Sequence, residues 1–348
     1  MLVALVKRIQ KALQKRDWPL RIISSIAHDL KEKRIKWLNF SGSYTFIDRS
    51  KGSQRLLIIL AGYKSFLWPL TLERIAKFVP SDLDVCILSS GLYSAPLAEL
   101  AEREGWSYLY TKANKVSLVQ NLAIAVHKEA KWIYKLDEDI FISEGFFEGL
   151  LEGYLRIKEE GLYNPGFCAP VLNVNGYSYI NFLKTINADE EYRNKFGELK
   201  RAVNGIKAHS DGEAAKWLWQ KSLPFDEVAK RLRSQPFNYS AAPHQFSIGA
   251  ILFEREFWEE VGGLRTSLHE GVLGIDEENL CQDCMKFSRP IIVIHNLFAG
   301  HFSFGPQEPA MRQYLPEIYP QLSLKGSETE EKEVQNQVGV FVHSSTSL

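Results

Sequence analysis

The chain has 348 residues, 45% hydrophobic and 24% charged, with a formal net charge of zero, which suits a globular protein with a real core in one large domain or two smaller ones. The neutral balance is uneven: residues 1–55 hold 13 Lys or Arg against 4 Asp or Glu, leaving the rest net acidic. An acidic body argues against nucleic acid as its partner, and no run reaches the ~18 apolar residues that span a bilayer.

At the N-terminus Leu2, Leu5, Val6, Ile9 and Leu13 share one helical face, with Lys7, Arg8, Lys11 and Lys15 on the others. A helix over residues 1–18 can lie in an anionic membrane interface or pack on its own body, and the pattern leaves both open. Residues 1–54 read as a basic extension ahead of the main folded region expected at 55–320.

"RLLIIL" (Arg55–Leu60) is a continuous apolar run, as expected of a buried parallel strand. Leu72, Ile75, Ala76 and Val79 recur at helical spacing. "LDVCILSSG" (Leu83–Gly91) predicts a second strand, and Ala95–Gly105 a helix with a glycine stop. Trp106–Thr111 and Lys131–Leu136 predict two more strands, around a helix capped by Ser117. This alternation predicts an open, mostly parallel α/β sheet flanked by helices, which binds ligands beyond the carboxyl ends of its strands. Neither GxGxxG nor GxxxxGK[ST] follows the first strand, where the chain reads "AGYKSFLWPL", with one glycine and one lysine.

"WIYKLDEDIFIS" (Trp132–Ser143) sets three acids, Asp137, Glu138 and Asp139, between two apolar runs. Adjacent carboxylates repel and resist burial. On an extended segment Asp137 and Asp139 point to one side, where they can share a hard cation such as Mn²⁺ or Mg²⁺. Glu138 points away, to bind substrate or to pair with a base. A metal at a sheet edge with no covalent nucleophile suggests phosphate chemistry, the cation neutralising a pyrophosphate as it leaves.

Beyond the acids, Ser143 is placed to cap a helix, and residues 163–185 mix strand and turn signals. Residues 186–235 read as a charged, partly helical insertion or lid. Phe246–Leu264 predicts a strand, then a helix stopped by Gly262–Gly263. Residues 321–348 read as a polar tail with one candidate strand, Val338–Val342. The four cysteines, Cys86, Cys168, Cys281 and Cys284, include one CxxC with no second pair to complete a zinc site. With no secretory leader pattern, a reducing cytoplasmic setting is expected.

"LDEDI" resembles the DxD motif of GT-A glycosyltransferases in a D-E-D form. "FSIGAILFEREFWEEVGGL" and "GIDEENL" resemble that superfamily's acceptor-side strand, helix and acidic motif, and "HNLFAGHFSFG" its late histidine segment. The ordered set covers about residues 55–305. It implies a GT-A-like domain with a sugar-donor half at 55–143, an acceptor half at 144–320 and an acceptor-side insertion. The implied activity is transfer of a sugar from a nucleotide-sugar, UDP-linked, to a saccharide or lipid-linked acceptor in surface polysaccharide synthesis. The implied location is the cytoplasm, peripheral on the inner face of the membrane.

In that resemblance Asp139 is the principal metal ligand, and Asp137 meets the ribose or the metal. Asn114 and Asn121 stand where polar groups bind the sugar donor, although Lys115 and Val116 replace the arginine and glycine usual in such stretches. An inverting transfer needs a base for the acceptor hydroxyl. That role maps to Glu277 with Asp276 on the acceptor sugar, or in another register to Asp276. All three acids of "GIDEENL" also suit a helix N-terminus. His301 is a further metal ligand, with His295 as rival. Phe302 and Phe304 suit either the pocket mouth or the core. Asn173, Asn175 and Tyr177 suit an acceptor loop, as do Trp217, Trp219 and Trp258 unless they pack inside. Two other classes remain: a sugar-1-phosphate nucleotidyltransferase, and a non-catalytic carbohydrate binder.

Overall fold

The computed structural model describes residues 37–324, apart from 203–204 and 303–304, together with Ser25 and Arg34. The helix expected over 1–18, the candidate strand Val338–Val342 and Phe304 lie outside the described residues. Those residues form an α/β protein around a ten-stranded sheet in the order β1-β4-β3-β2-β5-β9-β7-β10-β6, with β8 on β10.

The strands are β1 (Tyr44–Ile47), β2 (Arg55–Leu60), β3 (Asp84–Ser89), β4 (Ser107–Thr111) and β5 (Trp132–Asp137), followed by β6 (Ile140–Phe141), β7 (Phe167–Leu172), β8 (Tyr239–Ala242), β9 (Ala250–Glu254) and β10 (Ile291–His301). Six of the ten, β4, β3, β2, β5, β7 and β10, run in one direction. The parallel block is the part the sequence makes plain. All six residues of β3 are buried, as are Leu56–Ile59 of β2. A strand covered on both faces reads as an unbroken apolar run.

Helices flank the sheet. Those of the first half are α1 (Trp68–Phe78), α2 (Ala95–Glu104) and α3 (Val116–Val126). α2 ends on Gly105 in the left-handed conformation, the glycine stop that the sequence announces. Two caps differ from expectation. Lys115, not Ser117, is the N-cap of α3, and Ser117 is buried inside it. Gly145, not Ser143, precedes α4 (Phe146–Glu160).

Helix α5 (Tyr179–Thr185) leads into the charged insertion, which is helical: α6 (Asp189–Phe196), α7 (Gly212–Lys221) and α8 (Phe225–Arg233). Its aromatics face inward, with Trp217 and Trp219 buried. α9 (Arg255–Val261) follows β9 and stops on left-handed Gly262, as expected. α10 (Ile275–Lys286) carries Cys281 and Cys284 as buried free thiols.

Both ends of the body reach further than the pattern suggests. β1 falls within the 1–54 extension, yet pairs antiparallel with β4 from Tyr44↔Thr111 to Ile47↔Tyr108. α11 (Glu308–Leu322) crosses into the expected tail, and its Leu322 is fully buried. No described helix is long and apolar enough to cross a membrane.

The three acids fall at a change of strand. β5 lies mid-sheet and ends on Asp137, Glu138 and Asp139 make the turn, and β6 pairs with the end of β10. Ile140, Phe141 and Ile142 are fully buried. At roughly 1.5–3 kcal/mol for each large apolar side chain, they hold the turn against the repulsion of its carboxylates.

Candidate active site

Three neighbouring strand ends pin the acidic turn. Asp137 N–H donates to Gly249 O at 2.8 Å, and Glu138 N–H to Leu60 O at 3.0 Å. Asp139 O accepts from Phe302 N–H at 3.0 Å. A cleft of about 640 Å³ opens there, beyond the carboxyl ends of β2 and β5. It is lined by Asn114, Asp137, Glu138, Asp139, Asp276, Glu277 and His301, so seven of the eight expected site residues converge on it.

Glu138 turns away from its two neighbours. Its carboxylate accepts from the N–H groups of Gly62 and Tyr63, each at 3.0 Å, and from Trp68 Nε1 at 2.6 Å. These bonds fix the loop after β2, so Glu138 shapes the cleft wall with its oxygens already committed. Glu138 still lines the cleft, as the sequence led one to expect.

Asp137 and Asp139 point into the cleft, each beside a lysine. Lys135 Nζ donates to Asp137 Oδ1 at 2.5 Å and to Ile248 O at 2.8 Å. Lys64 Nζ donates to Asp139 Oδ2 at 2.5 Å, and His301 Nε2 lies 3.3 Å from the same oxygen. Burial pushes the Asp139 carboxyl up, but His301 and Lys64 more than reverse it and hold it well below the usual range. Asp137 goes the other way: burial raises it to about 6 despite Lys135.

Oxygen and imidazole ligands suit Mn²⁺ or Mg²⁺. The cleft also calls for positive charge, since six carboxylates and two lysines are among the residues lining it. As the side chains stand, no three His, Cys, Asp or Glu among the described residues are grouped to hold a metal. The Asp139 oxygen that faces His301 already carries the Lys64 ammonium. A dication about 4 Å from an ammonium is repelled by roughly 8 kcal/mol at an effective dielectric of about 20. Asp139, His301 and Asp137 are the residues that would hold a cation, in an arrangement other than the one in which Lys64 pairs with Asp139.

The opposite wall is the first turn of α10. Asp276 accepts from Gln120 Nε2 at 2.9 Å. Glu277 accepts from Gln245 Nε2 at 2.7 Å and Ile248 N–H at 3.4 Å. The acids begin a helix, where unpaired amides favour negative charge, and two of them also face the cleft. Burial raises the Glu277 carboxyl above the ordinary range, which suits a proton acceptor working near neutral pH.

Asn114 is on the rim, where its N–H donates to Glu270 Oε2 at 3.1 Å and its carbonyl accepts from Gly271 N–H at 2.9 Å. The backbone passes so close to Gly91 that a Cβ there would sit 2.5 Å from Asn114 Cβ. Asn121 is not in the cleft, which corrects its assignment to the sugar donor. It is fully buried, donates to Asn39 O and Leu264 O, and accepts from Trp258 Nε1 and Leu264 N–H. Its amide is saturated, and it ties α3 to the segment after α9. His295 is also elsewhere: Asn181 Nδ2 and Ser240 Oγ meet its Nε2 at 3.0 and 2.8 Å, and burial lowers it to about 4.

Two of the expected acceptor-side residues, Asn173 and Trp219, support His301. Asn173 Oδ1 accepts its N–H, and Trp219 Nε1 donates to its carbonyl. Asn175 lines the cleft, while Tyr177 is buried with its hydroxyl donating to Ala241 O at 3.1 Å. Trp217, Trp258 and Phe302 are core. Lys64, Lys135, His209, Gln245 and Glu308 also line the cleft, and no motif in the sequence points to them as site residues. Only Lys64 carried a signal, as the one lysine after the first long strand.

Neither the protein-family models nor the characterised proteins contain a match to this sequence. Among solved structures, the fold is similar to the crystal structure of GalNAc-T7 with UDP, GalNAc and Mn²⁺, at 11% identity and a TM-score of 0.43. The match covers 76% of this chain and 48% of that one, so the chain spans about half the length of that protein. At this level the likeness is too slight to bear on function.

Proposed function

We propose that the cleft transfers a sugar from a nucleotide-sugar, UDP-linked, to a saccharide acceptor by inversion. One observation carries the reading: Asp137 and Asp139 at a strand end face Asp276 and Glu277 at a helix start within one cleft. The first pair sits where an open α/β sheet receives a nucleotide. The second pair sits where an acceptor hydroxyl would be deprotonated. Glu277 takes that proton, its affinity for it raised by burial, and Asp276 orients the acceptor sugar. Lys64 and Lys135 supply positive charge on the sugar-donor side. A bound Mn²⁺ or Mg²⁺, held by Asp139, Asp137 and His301, would neutralise the diphosphate as it leaves.

The acceptor is a saccharide carried on lipid, and the product belongs to surface polysaccharide. The basic, leucine-faced residues 1–18 support this setting, on the inner face of the membrane. The rival nucleotidyltransferase reading draws on Lys64, which follows β2 and lines the cleft. The products separate the two, since a nucleotidyltransferase exchanges pyrophosphate whereas a sugar transferase releases nucleoside diphosphate.

The test is a screen of nucleotide-sugars with Mn²⁺ for thermal stabilisation, followed by turnover with candidate acceptors. Binding to the native state must raise its apparent stability. Asp139→Ala should abolish nearly all transfer while circular dichroism shows an intact fold. Near-normal turnover by folded D139A protein, or no response to any nucleotide-sugar, defeats the reading.

A further inference from the structure

We infer that Gln245 is the positioning residue of the cleft's base: its side-chain amide aims the Glu277 carboxylate at the acceptor hydroxyl. The inference rests on reading Glu277 as the group that takes the acceptor proton. Gln245 Nε2 donates to Glu277 Oε1 at 2.7 Å, and both residues line the cleft.

The segment that carries Gln245 is seated on one face of α10. Glu277 and Cys281 are four residues apart on that helix, so they share a face. Cys281 Sγ accepts from Phe246 N–H at 3.5 Å and donates to Phe246 O at 3.4 Å. Both of these residues are buried. Further on, Ile248 N–H reaches the second carboxylate oxygen, Glu277 Oε2, at 3.4 Å. The chain just after Gln245 is therefore tied to the helix that carries the base. This also gives the buried Cys281 thiol a part in the site, by holding the segment and not by reacting.

The contact has a physical reason. A buried carboxylate fails as a base if it turns away, or if it takes up a proton before the substrate arrives. One donor on each oxygen opposes rotation, yet two donors do not saturate a carboxylate with about four acceptor positions. An acceptor hydroxyl can still bond to it, in an orientation already set. The proton balance is equally delicate. Burial raises Glu277, the Gln245 and Ile248 hydrogen bonds lower it, Asp276 beside it adds to the rise, and Lys135 from β5 opposes it. Asp137, at the end of β5, shares the cleft. An amide N–H can only donate, so Gln245 favours the ionised form that a base requires.

The experiment follows the Glu277 carboxyl by NMR in protein carrying ¹³C-labelled glutamate, its resonance identified by its loss in Glu277→Gln. The native chain, Gln245→Met and Gln245→Lys are titrated with pH, without metal or nucleotide, and circular dichroism confirms each fold. Gln245→Met keeps the length of the side chain and removes the donor, so the Glu277 midpoint should move up. Gln245→Lys puts a charged donor in its place, so the midpoint should move down. An unmoved midpoint in either folded variant overturns the inference. Turnover supplies a second readout that a merely structural role would leave alone. In Q245M, kcat should fall roughly tenfold and the acid limb of kcat/KM should rise with the midpoint, while KM for the nucleotide-sugar stays within about twofold. A midpoint that moves in a protein that turns over no nucleotide-sugar keeps the hold of Gln245 on Glu277 and removes the transferase reading. Full turnover by Q245M with an unmoved midpoint does the reverse.

Discussion

Trp219 donates its indole N–H to the carbonyl of His301 across 3.1 Å. On the other side of the same residue, Asn173 Oδ1 accepts the His301 N–H at 2.9 Å. The ring that faces Asp139 is therefore aimed by two backbone bonds, one from the helical insertion and one from the segment after β7. A buried carbonyl left without its partner costs about 1–3 kcal/mol. Trp219→Phe should lose about that much in chemical denaturation and lower turnover several-fold. Unchanged stability together with an unchanged rate would show that this bond does not position His301.

The proposal that Glu277 is the base predicts a pH dependence. The Glu277 carboxyl is raised by burial, so it is protonated over a range in which an ordinary glutamate is already ionised. A base must be deprotonated to work, so the rate falls as pH drops through the raised value. The acid limb of kcat/KM should lie above the ~4.3 of a free glutamate. Glu277→Gln should lower turnover by roughly 10²–10⁴-fold with metal and nucleotide binding retained. A normal rate in E277Q, with Asp276→Asn inactive, would move the role back one residue. The stability sign is separate: with the folded value above the unfolded one, this group favours folding at low pH, and that contribution disappears as pH rises.

Arg74 tests whether α11 belongs to the body. Its guanidinium is fully buried and donates to Leu322 O, Ile142 O and both carboxylate oxygens of Asp226. Asp226 is half exposed, so only part of the loss falls on a buried charge. Arg74→Met should destabilise by about 2–4 kcal/mol. The cleft residues do not touch it, so nucleotide affinity should hold at temperatures where the variant is folded. A loss below ~0.5 kcal/mol in denaturant melts would show that α11 adds little to stability.

The N-terminal pattern predicts a salt-dependent membrane contact. Each basic residue near an anionic surface adds up to ~1 kcal/mol, and salt weakens that part while sparing the apolar part. Full-length chain should sediment with anionic vesicles at low salt, and a chain lacking residues 1–18 should not. Equal sedimentation of the two, or none by the full chain, would point to a soluble acceptor.

The sequence by itself determined the parallel block and the acidic turn at the end of its central strand. Leu56–Ile59 and Val85–Leu88 are covered on both faces, and unbroken apolar runs suit that. The acids between two such runs at Asp137–Asp139 suit a strand end, because three adjacent carboxylates repel one another and resist burial. Glycine stops at Gly105 and Gly262 were equally local, since a left-handed residue ends a helix wherever it falls. What the tertiary structure decided is where each polar side chain points. Asn114 and Asn121 belong to one stretch, yet one lines the cleft and the other is saturated in the core. Helical spacing gives a residue's face, not the partners awaiting it there. β1 was missed because four residues of an edge strand, mostly exposed, leave no apolar run to read. Lys64 meets Asp139 across 75 positions, and Asn173 meets His301 across 128. Such pairs are set by which strands become neighbours in the sheet, and a single chain of letters records the members of each pair without recording that they meet.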